Sequence, residues 1–146
     1  MKNLFVVSIL FFTALTTGFS QGKESVSLEN IPSEINAYVT HHFSATSIKD
    51  AYKEKESTPS FVYEINLKNG VELTFNSFNQ IIEIESKQAL PESVVPAEIK
   101  KYVTDNYSGA VIKEWSLKSN DRQEIGLNNG KDLIFDKNGM FLAVGK

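Results

Sequence analysis

The chain has 146 residues, a formal net charge of -3 and 41% hydrophobic residues, so its length suits one ordinary domain or two very small ones. A sequence pI near 5.4 argues against a protein that binds nucleic acid or anionic membranes, because such a protein needs a basic surface. The sequence has no cysteine, which excludes disulfides, thiol nucleophiles and cysteine-ligated metal clusters.

The N-terminal segment has the pattern of a secretory signal peptide. Lys2 precedes an almost wholly apolar run over residues 4–15, and the small residues Gly18 and Ser20 follow it. The run is shorter than the about 20 residues that a membrane-spanning helix needs, although a retained anchor is the alternative. We therefore expect residues 1–20 to be removed and the mature chain to be exported, either to the periplasm or to the medium, without a membrane contact after cleavage.

The rest of the chain contains an internal duplication. Residues 32–51 align with residues 96–115, with proline, Glu-Ile, Tyr-Val-Thr, serine and Ile-Lys in common. Residues 63–84 align with residues 123–144, with Glu-Ile, leucine, Asn-Gly, leucine and phenylalanine in common. Such self-similarity indicates a repeated structural unit. The predicted organisation is a first unit, a linker and a second unit: residues 21–86, 87–95 and 96–146.

Each unit is predicted to begin with an amphipathic helix, over residues 32–43 and 96–107. Proline at the first helical position costs nothing, because that N–H has no partner within the helix, and a glutamate in the first turn suits the helix dipole. Side chains then recur at spacings of three and four, which gives each helix one face for the core. These positions are Ile35, Tyr38, Val39, His42 and Phe43 in the first unit and Ile99, Tyr102, Val103, Asn106 and Tyr107 in the second.

Four antiparallel strands are predicted to follow each helix, so the fold class is α+β with a four-stranded meander in each unit. The strands occupy about residues 47–86 and 110–145, and the alternation of apolar and polar residues is clearest over residues 61–67. Asn69-Gly70 and Asn129-Gly130 predict type I′ hairpin turns, in which both central residues have positive φ. We expect each helix to cover one sheet face and to leave the other in water.

The uncovered face is predicted to carry mostly polar side chains with a small apolar patch. The alternation of side chains along a strand, with a period of two residues, predicts that Ile81, Ile134 and Phe141 point outward. Trp115 either joins them or belongs to the core. The alternatives are that the two units pack sheet to sheet or that the count slips by one residue. The other residues assigned to this face are Val62, Glu64, Asn66, Glu72, Thr74 and Glu83, then Glu124, Asn128, Asp132 and Ala143.

The two histidines, His41 and His42, are weak candidates for catalysis or metal binding. Adjacent helical side chains point about 100° apart, so they do not form the paired face that residues four apart would form. Their counterparts in the second unit are Asp105 and Asn106, so the fold needs no imidazole at these positions. We expect them to stabilise the end of the helix.

The acidic residues are also interpreted as surface residues. Glu64 and Glu72 could form a cross-strand carboxylate pair for a divalent cation, but a solvated face whose charges discourage edge pairing is the preferred interpretation. No nucleophile elbow, phosphate-binding loop or dinucleotide motif occurs. No catalytic residue, cofactor or metal site is therefore predicted.

The residues shared by the two copies form a motif of their own. The second copy has Pro96, Glu98-Ile99, Tyr102-Val103, Tyr107, Glu124-Ile125, Leu127, Asn129-Gly130, Leu133, Phe135-Asp136 and Gly139, and the first copy repeats most of it. This motif resembles the PepSY-like, beta-lactamase-inhibitor-like family of exported bacterial proteins. The resemblance implies a tandem helix-plus-sheet fold like that of the beta-lactamase inhibitory protein, and it implies no catalytic residues.

The sequence departs from that family in three respects. Asn79 stands where the second copy has Gly139, and asparagine tolerates the left-handed backbone that glycine favours. Gln123 replaces the aromatic residue found at Tyr63, and the inhibitor's cysteines are missing. Inhibition of a beta-lactamase does not follow from the fold.

These patterns predict an exported binding module rather than an enzyme. Its partner would be a protein or a peptide, held on the open sheet face around Trp115, Ile134 and Phe141. The alternative is a carrier that binds a small ligand or an ion in the cleft between the two units. An enzyme ranks last, because only the histidine pair and the carboxylates could serve it.

Overall fold

A computed structural model describes residues 22–55 and 60–145, so the predicted signal peptide lies outside the described residues. The described chain has an α+β fold with a single nine-stranded sheet, in which all neighbouring strands are antiparallel and follow one another in chain order. Strands are β1 Lys23–Val26, β2 Ile48–Lys55, β3 Phe61–Leu67, β4 Glu72–Asn76, β5 Ile81–Glu85, β6 Ile112–Leu117, β7 Gln123–Leu127, β8 Asp132–Phe135 and β9 Phe141–Val144; helices are α1 Ser33–His42 and α2 Ala97–Asn106. Two short 3-10 helices cover Leu28–Asn30 and Ser119–Asp121.

Both α-helices begin directly after a proline. Pro32 and Pro96 occupy the N-cap position, with φ of -50° and -53°, instead of the predicted first helical position. Their carbonyl oxygens accept hydrogen bonds of 3.1 Å from the N–H groups of Asn36 and Lys100, which close the first turn of each helix. Proline therefore still directs the chain into each helix, but the helix begins one residue later than predicted.

The two repeats share one sheet. The sequence predicted a four-stranded meander in each unit; in the structure the last strand of the first repeat, β5, pairs with the first strand of the second, β6. Ile84 lies opposite Trp115 in this pairing, and Glu85 lies opposite Glu114. An additional strand, β1, pairs with β2. Joining β5 to β6 satisfies backbone groups that two separate sheets would leave at exposed edges.

The Asn-Gly turns differ from the prediction. Gly70 and Gly130 have φ of 84° and 77°, whereas Asn69 and Asn129 are not in the positive-φ region. The Gly70 N–H donates to the carbonyl of Leu67 at 3.0 Å, three residues earlier. The type I′ prediction is therefore wrong: only the glycine is left-handed, as in the longer hairpin loops that end on one left-handed residue.

Four strands carry an extra residue at equivalent places in the two repeats. The register of β2 skips Lys49 and that of β6 skips Lys113, while β5 skips Ile82 and β9 skips Leu142. Each such β-bulge places two residues opposite one and shifts the alternation of side chains. The bulges explain why counting in twos fails in these strands.

A single core lies between the two helices and one sheet face. Helix and strand residues from both repeats belong to one cluster of buried apolar side chains. Its fully buried large members are Phe75, Phe135, Ile35, Ile65, Leu67, Leu73, Ile84, Ile99, Ile125 and Leu133. The helices thus cover one face of the sheet, as predicted.

Within residues 22–55 and 60–145 no helix is long and apolar enough to cross a membrane.

Candidate functional site

The sheet face opposite the helices is acidic. Strand register assigns to it the alternate residues that point away from the core, such as Glu64 opposite Thr74 and Thr74 opposite Glu83. The carboxylates on this face are Asp50, Glu54, Glu64, Glu72, Glu83, Glu85, Glu114, Glu124 and Asp132. A face with this composition has a negative potential that attracts cationic groups.

Partners neutralise carboxylates toward the two ends of the face. Lys23 Nζ lies 2.7 Å and 2.9 Å from the two carboxylate oxygens of Glu64 and 4.6 Å from the ring centre of Tyr52. The hydrogen bond to Glu64 raises the pKa of Lys23. At the other end, Lys118 Nζ lies 3.1 Å from Glu124 Oε1. These pairs are partly exposed, so each contributes little to stability, but each cancels one charge.

The middle of the face carries carboxylates that have no salt-bridge partner among the described residues. Glu72 on β4, Glu85 on β5 and Glu114 on β6 are direct cross-strand neighbours and form what we term the central row. None of the three, nor Glu83 beside them, has a salt bridge within the described residues. Burial raises the pKa of Glu85, and Glu83, Glu114 and Glu72 raise it further by repulsion. Like charges opposite one another destabilise a sheet, so this row is an electrostatic cost to the fold.

A glycine positions the end of the central row. The side chain of Glu114 lies across Gly126 on the neighbouring strand, where a Cβ would come within 2.9 Å of Glu114 Cβ and 2.8 Å of its Oε2. Any larger residue at this position would therefore force Glu114 to move. A shallow depression of about 160 Å³ adjoins the row and is lined by Gly70, Glu72, Glu85, Ser86, Lys87 and Glu114.

Three of the four predicted binding residues lie on the covered face. Phe141 pairs with Phe135 across β8 and β9 and stacks on Tyr102 of α2, with ring centroids 4.5 Å apart and planes 11° apart. Ile81 is placed in the same way, opposite the buried Phe75, and packs against the core. The outward orientation predicted for both is wrong, because the bulges at Ile82 and Leu142 reverse the count.

Trp115 also lies on the covered face. It stands between the fully buried Ile84 and Ile125 in the register, and its indole N–H donates to Gln123 Oε1 at 2.9 Å. This places Trp115 among the core residues and away from an outward patch. The role in binding predicted for Trp115 is not tested by this contact and stays a prediction.

Ile134 is the one predicted binding residue on the open face, between Glu124 and Ala143. Sequence reasoning placed Glu72 on this face but did not assign Glu85 or Glu114 to it. The bulge at Lys113 hid the alternation of β6. Alignment of the repeats could have found it, because Glu114 is the counterpart of Asp50.

His42 contacts the linker that precedes the second repeat. Its Nδ1 lies 2.9 Å from Ser93 Oγ, and its ring centroid is 4.4 Å from that of Tyr38. Burial, and to a lesser extent the neighbouring His41, lowers the pKa of His42. Within the part of the chain that the structure describes, no group of three or more His, Asp or Glu side chains could hold a metal ion.

Two grooves lie at equivalent places beside the helices. The larger, about 440 Å³, is lined by linker residues, α2 and the start of β6, including Leu90, Val95 and Lys100. The smaller, about 340 Å³, is lined by α1 and the start of β2, including Val39 and Ile48. Neither groove is lined by residues of both repeats, so neither matches the predicted cleft between the two units.

Comparison with protein families recovers the duplication. A model of the family described as "Putative beta-lactamase-inhibitor-like, PepSY-like" matches residues 19–83 and again residues 82–143. A comparison with curated proteins finds no match.

Solved structures share the whole fold. A "putative periplasmic protein of unknown function" from Bacteroides vulgatus is 28% identical, with a TM-score of 0.79 over 86% of this chain and 100% of that chain. A "putative calcium-regulated periplasmic protein" from Bacteroides thetaiotaomicron is 24% identical, with a TM-score of 0.78 over 85% and 97% of the two chains. A second "putative periplasmic protein" from Bacteroides vulgatus is 23% identical, with a TM-score of 0.77 over 87% and 99%. These structural neighbours are described as periplasmic, which agrees with an exported chain.

Proposed function

The chain belongs to the PepSY-like family, and from this premise we propose that it is an exported, non-catalytic module that binds a basic, extended segment of a protein on its open sheet face. The signal-peptide pattern and the periplasmic neighbours support export. Periplasm is the proposed compartment, with release to the medium as the alternative. Cell fractionation with an antibody to the chain would decide between them.

The observation that carries the binding proposal is the central row. Glu72, Glu85 and Glu114 repel one another, and none of them has a salt bridge within the described residues. Lysine or arginine side chains of a partner would relieve this repulsion and gain charge-assisted hydrogen bonds. The partner therefore removes a cost that the free protein carries.

The shape of the face favours a flat, extended partner. The depression at the central row, about 160 Å³, is smaller than the roughly 300–1,000 Å³ of typical small-molecule pockets. An extended chain can instead lie across several strands and reach beyond the row. Ile134 supplies an apolar contact at the second-repeat end of the face.

Divalent-cation binding at the same row is the second candidate function. Adjacent carboxylates are calcium ligands by chemistry, and one structural neighbour is described as calcium-regulated. It ranks second because the side chains, as they stand, do not converge into a group that could hold a metal ion in the described residues.

The test measures binding of a fluorescein-labelled (Lys-Thr)4 peptide by anisotropy and of CaCl2 alone by calorimetry. The site variant is Glu72→Gln/Glu85→Gln/Glu114→Gln. The control variant, Glu29→Gln/Glu34→Gln/Glu98→Gln, changes the net charge equally at exposed glutamates of the helices. We expect salt-sensitive peptide binding that the site variant reduces by about tenfold or more and the control variant leaves nearly unchanged.

Other outcomes decide against the proposal. Equal loss in both variants would mean attraction to net charge without a site. Calcium binding that the site variant removes, without peptide binding, would favour the second candidate. Absence of both, in folded protein, would contradict a binding role for this face.

A further inference from the structure

The last strand, β9, is an edge strand with apolar side chains in solvent. It pairs with β8 on one side, and no strand among residues 22–55 and 60–145 pairs with it on the other. Val144 is 50% exposed and Leu142 is 48% exposed, and Met140 in the preceding turn is 68% exposed. Phe141–Val144 contains no charged residue. Natural sheets usually protect such an edge with charge, proline or a covering segment.

The backbone of Val144 offers hydrogen-bonding groups at this edge. The Gly145 N–H donates to the carbonyl of Asp132 on β8 at 2.7 Å. In an antiparallel ladder, the residues of one strand direct their N–H and C=O groups alternately toward and away from a given neighbour. The N–H and C=O of Val144 therefore point away from β8. A further extended chain can pair with such groups by strand addition.

The first repeat shows what covers the equivalent edge. β5 aligns with β9, so that Ile84 corresponds to Val144, and the outer edge of β5 is taken by β6. Trp115 of β6 lies opposite Ile84, which is 0% exposed, whereas its counterpart Val144 is half exposed. The buried residue is the one whose strand has a neighbour on both sides, and the exposed residue is the one whose strand has a neighbour on one side only.

The opposite edge of the sheet is different in character. β1 carries Lys23 and Glu24, and Lys23 is held by Glu64. Charged side chains at an edge oppose the docking of a further strand. The two edges are therefore not equivalent, because only β9 lacks charged side chains.

We propose that β9 binds an extended segment of a partner protein by antiparallel strand addition, with a large apolar side chain of that segment opposite Val144. This site is independent of the acidic face and needs no charge on the partner. Its template is β6, which makes the same pairing with β5 inside the chain.

The test uses a capped, labelled peptide with the sequence of Ile112–Leu117 as the added strand. We expect it to bind the purified protein and to slow hydrogen exchange of the Val144 N–H, followed by NMR. Val144→Pro removes the outward N–H while keeping the inward ladder of β9 intact, so we expect affinity to fall by about tenfold or more. Val144→Lys, which keeps the N–H but adds a charge to the edge, should also weaken binding.

Two controls accompany the test. Leu28→Lys introduces the same charge at another apolar residue that is 50% exposed, and it should bind like the unmodified protein. A peptide with alanine at the position of Trp115 should bind more weakly, because it cannot cover Val144. Circular dichroism checks that each variant is folded.

The outcomes are separable. Failure of the peptide to bind folded protein would overturn the proposal, and so would binding by both Val144 variants that is as tight as binding by the unmodified protein. Self-association without peptide that Val144→Pro abolishes would show a second copy of the chain at this edge instead. Either result leaves the acidic face untested and the proposed function standing.

Discussion

The two repeats use the same fold position in opposite ways. In the first, Asp50 lies opposite Asn66 and accepts a hydrogen bond of 2.6 Å from its Nδ2. In the second, the corresponding Glu114 lies opposite Gly126 and extends over it. One carboxylate is partnered within its repeat, and the other is left as part of the central row. The two repeats share the same strand positions. The pair Glu114 and Gly126, in place of Asp50 and Asn66, leaves the Glu114 carboxylate at the junction of the repeats.

The helix sides of the repeats differ as well. Tyr38 and Tyr102 each make an edge-on contact with a buried phenylalanine, with ring centroids 5.4 Å and 5.5 Å apart. Tyr102 also stacks on Phe141, whereas Tyr38 contacts His42. Burial raises the pKa of Tyr38 to about 12. The common contact belongs to the fold, and the second contact is particular to each repeat.

The largest expected effect comes from the contact that the repeats share. Phe75→Ala and Phe135→Ala each remove a fully buried ring, and each should lower the free energy of unfolding by about 3–5 kcal/mol. Because one sheet joins the repeats, urea denaturation should show a single transition for both variants. Phe78→Ala, at a side chain that is 80% exposed, is the control. Two separate transitions would show that the repeats fold independently.

Exchange of a residue that differs between the repeats tests the aromatic contact particular to the second repeat. Phe141→Ile introduces the residue found at Ile81 and removes the stacked pair with Tyr102, at an expected cost of about 1 kcal/mol. Thermal unfolding measures the loss, and near-ultraviolet circular dichroism reports the aromatic pair. Met140→Ile, at an exposed neighbour, should be close to neutral. An equal loss in both would mean that the stacking contributes nothing.

Removal of one charge from the central row should stabilise the protein. Glu85→Gln relieves repulsion from Glu72 and Glu114, so we expect a gain of about 0.5 kcal/mol at pH 7. The folded-state pKa of Glu85 is raised, so the ionised form is penalised only in the folded state. The gain therefore shrinks as the pH falls through that pKa and is lost below the ordinary value of 4.5.

The matched control is Glu64→Gln, which breaks the ion pair with Lys23 and should not raise the free energy of unfolding. Unfolding in urea at pH 7 and pH 4 measures both variants. A gain at Glu85 that persists at pH 4 would contradict repulsion as its cause.

The smallest expected effect concerns His42. Its pKa is lowered in the folded state, so the unfolded chain binds the proton more readily. Stability contributed by the neutral imidazole is thus present above the ordinary pKa of 6.5 and is lost as the pH falls below it. His42→Asn, which introduces the counterpart residue Asn106, should flatten the decrease in melting temperature between pH 7.5 and 5.5. The corresponding change in the free energy of unfolding should be at most about 0.5 kcal/mol. Identical slopes for the two proteins would exclude His42 as the source.

Much of the fold was predictable because local patterns encode it. The prolines and apolar spacing predicted both helices, and Asn79, with φ of 61°, takes the left-handed backbone expected from its counterpart Gly139. The repeated motif identified the family. Alternation also identified much of the open face, including Glu72 and Ile134.

The duplication, the helices and the presence of one uncovered sheet face could be predicted, because these features follow from periodicity and turn residues in short segments. The pairing of β5 with β6, which joins the repeats into one sheet and brings Glu72, Glu85 and Glu114 together, became visible only in the folded chain. The same holds for the bulges that turn Phe141 toward the helix. The physical reason is that strand pairing and bulges depend on hydrogen bonds between distant segments, which no local pattern of side chains specifies.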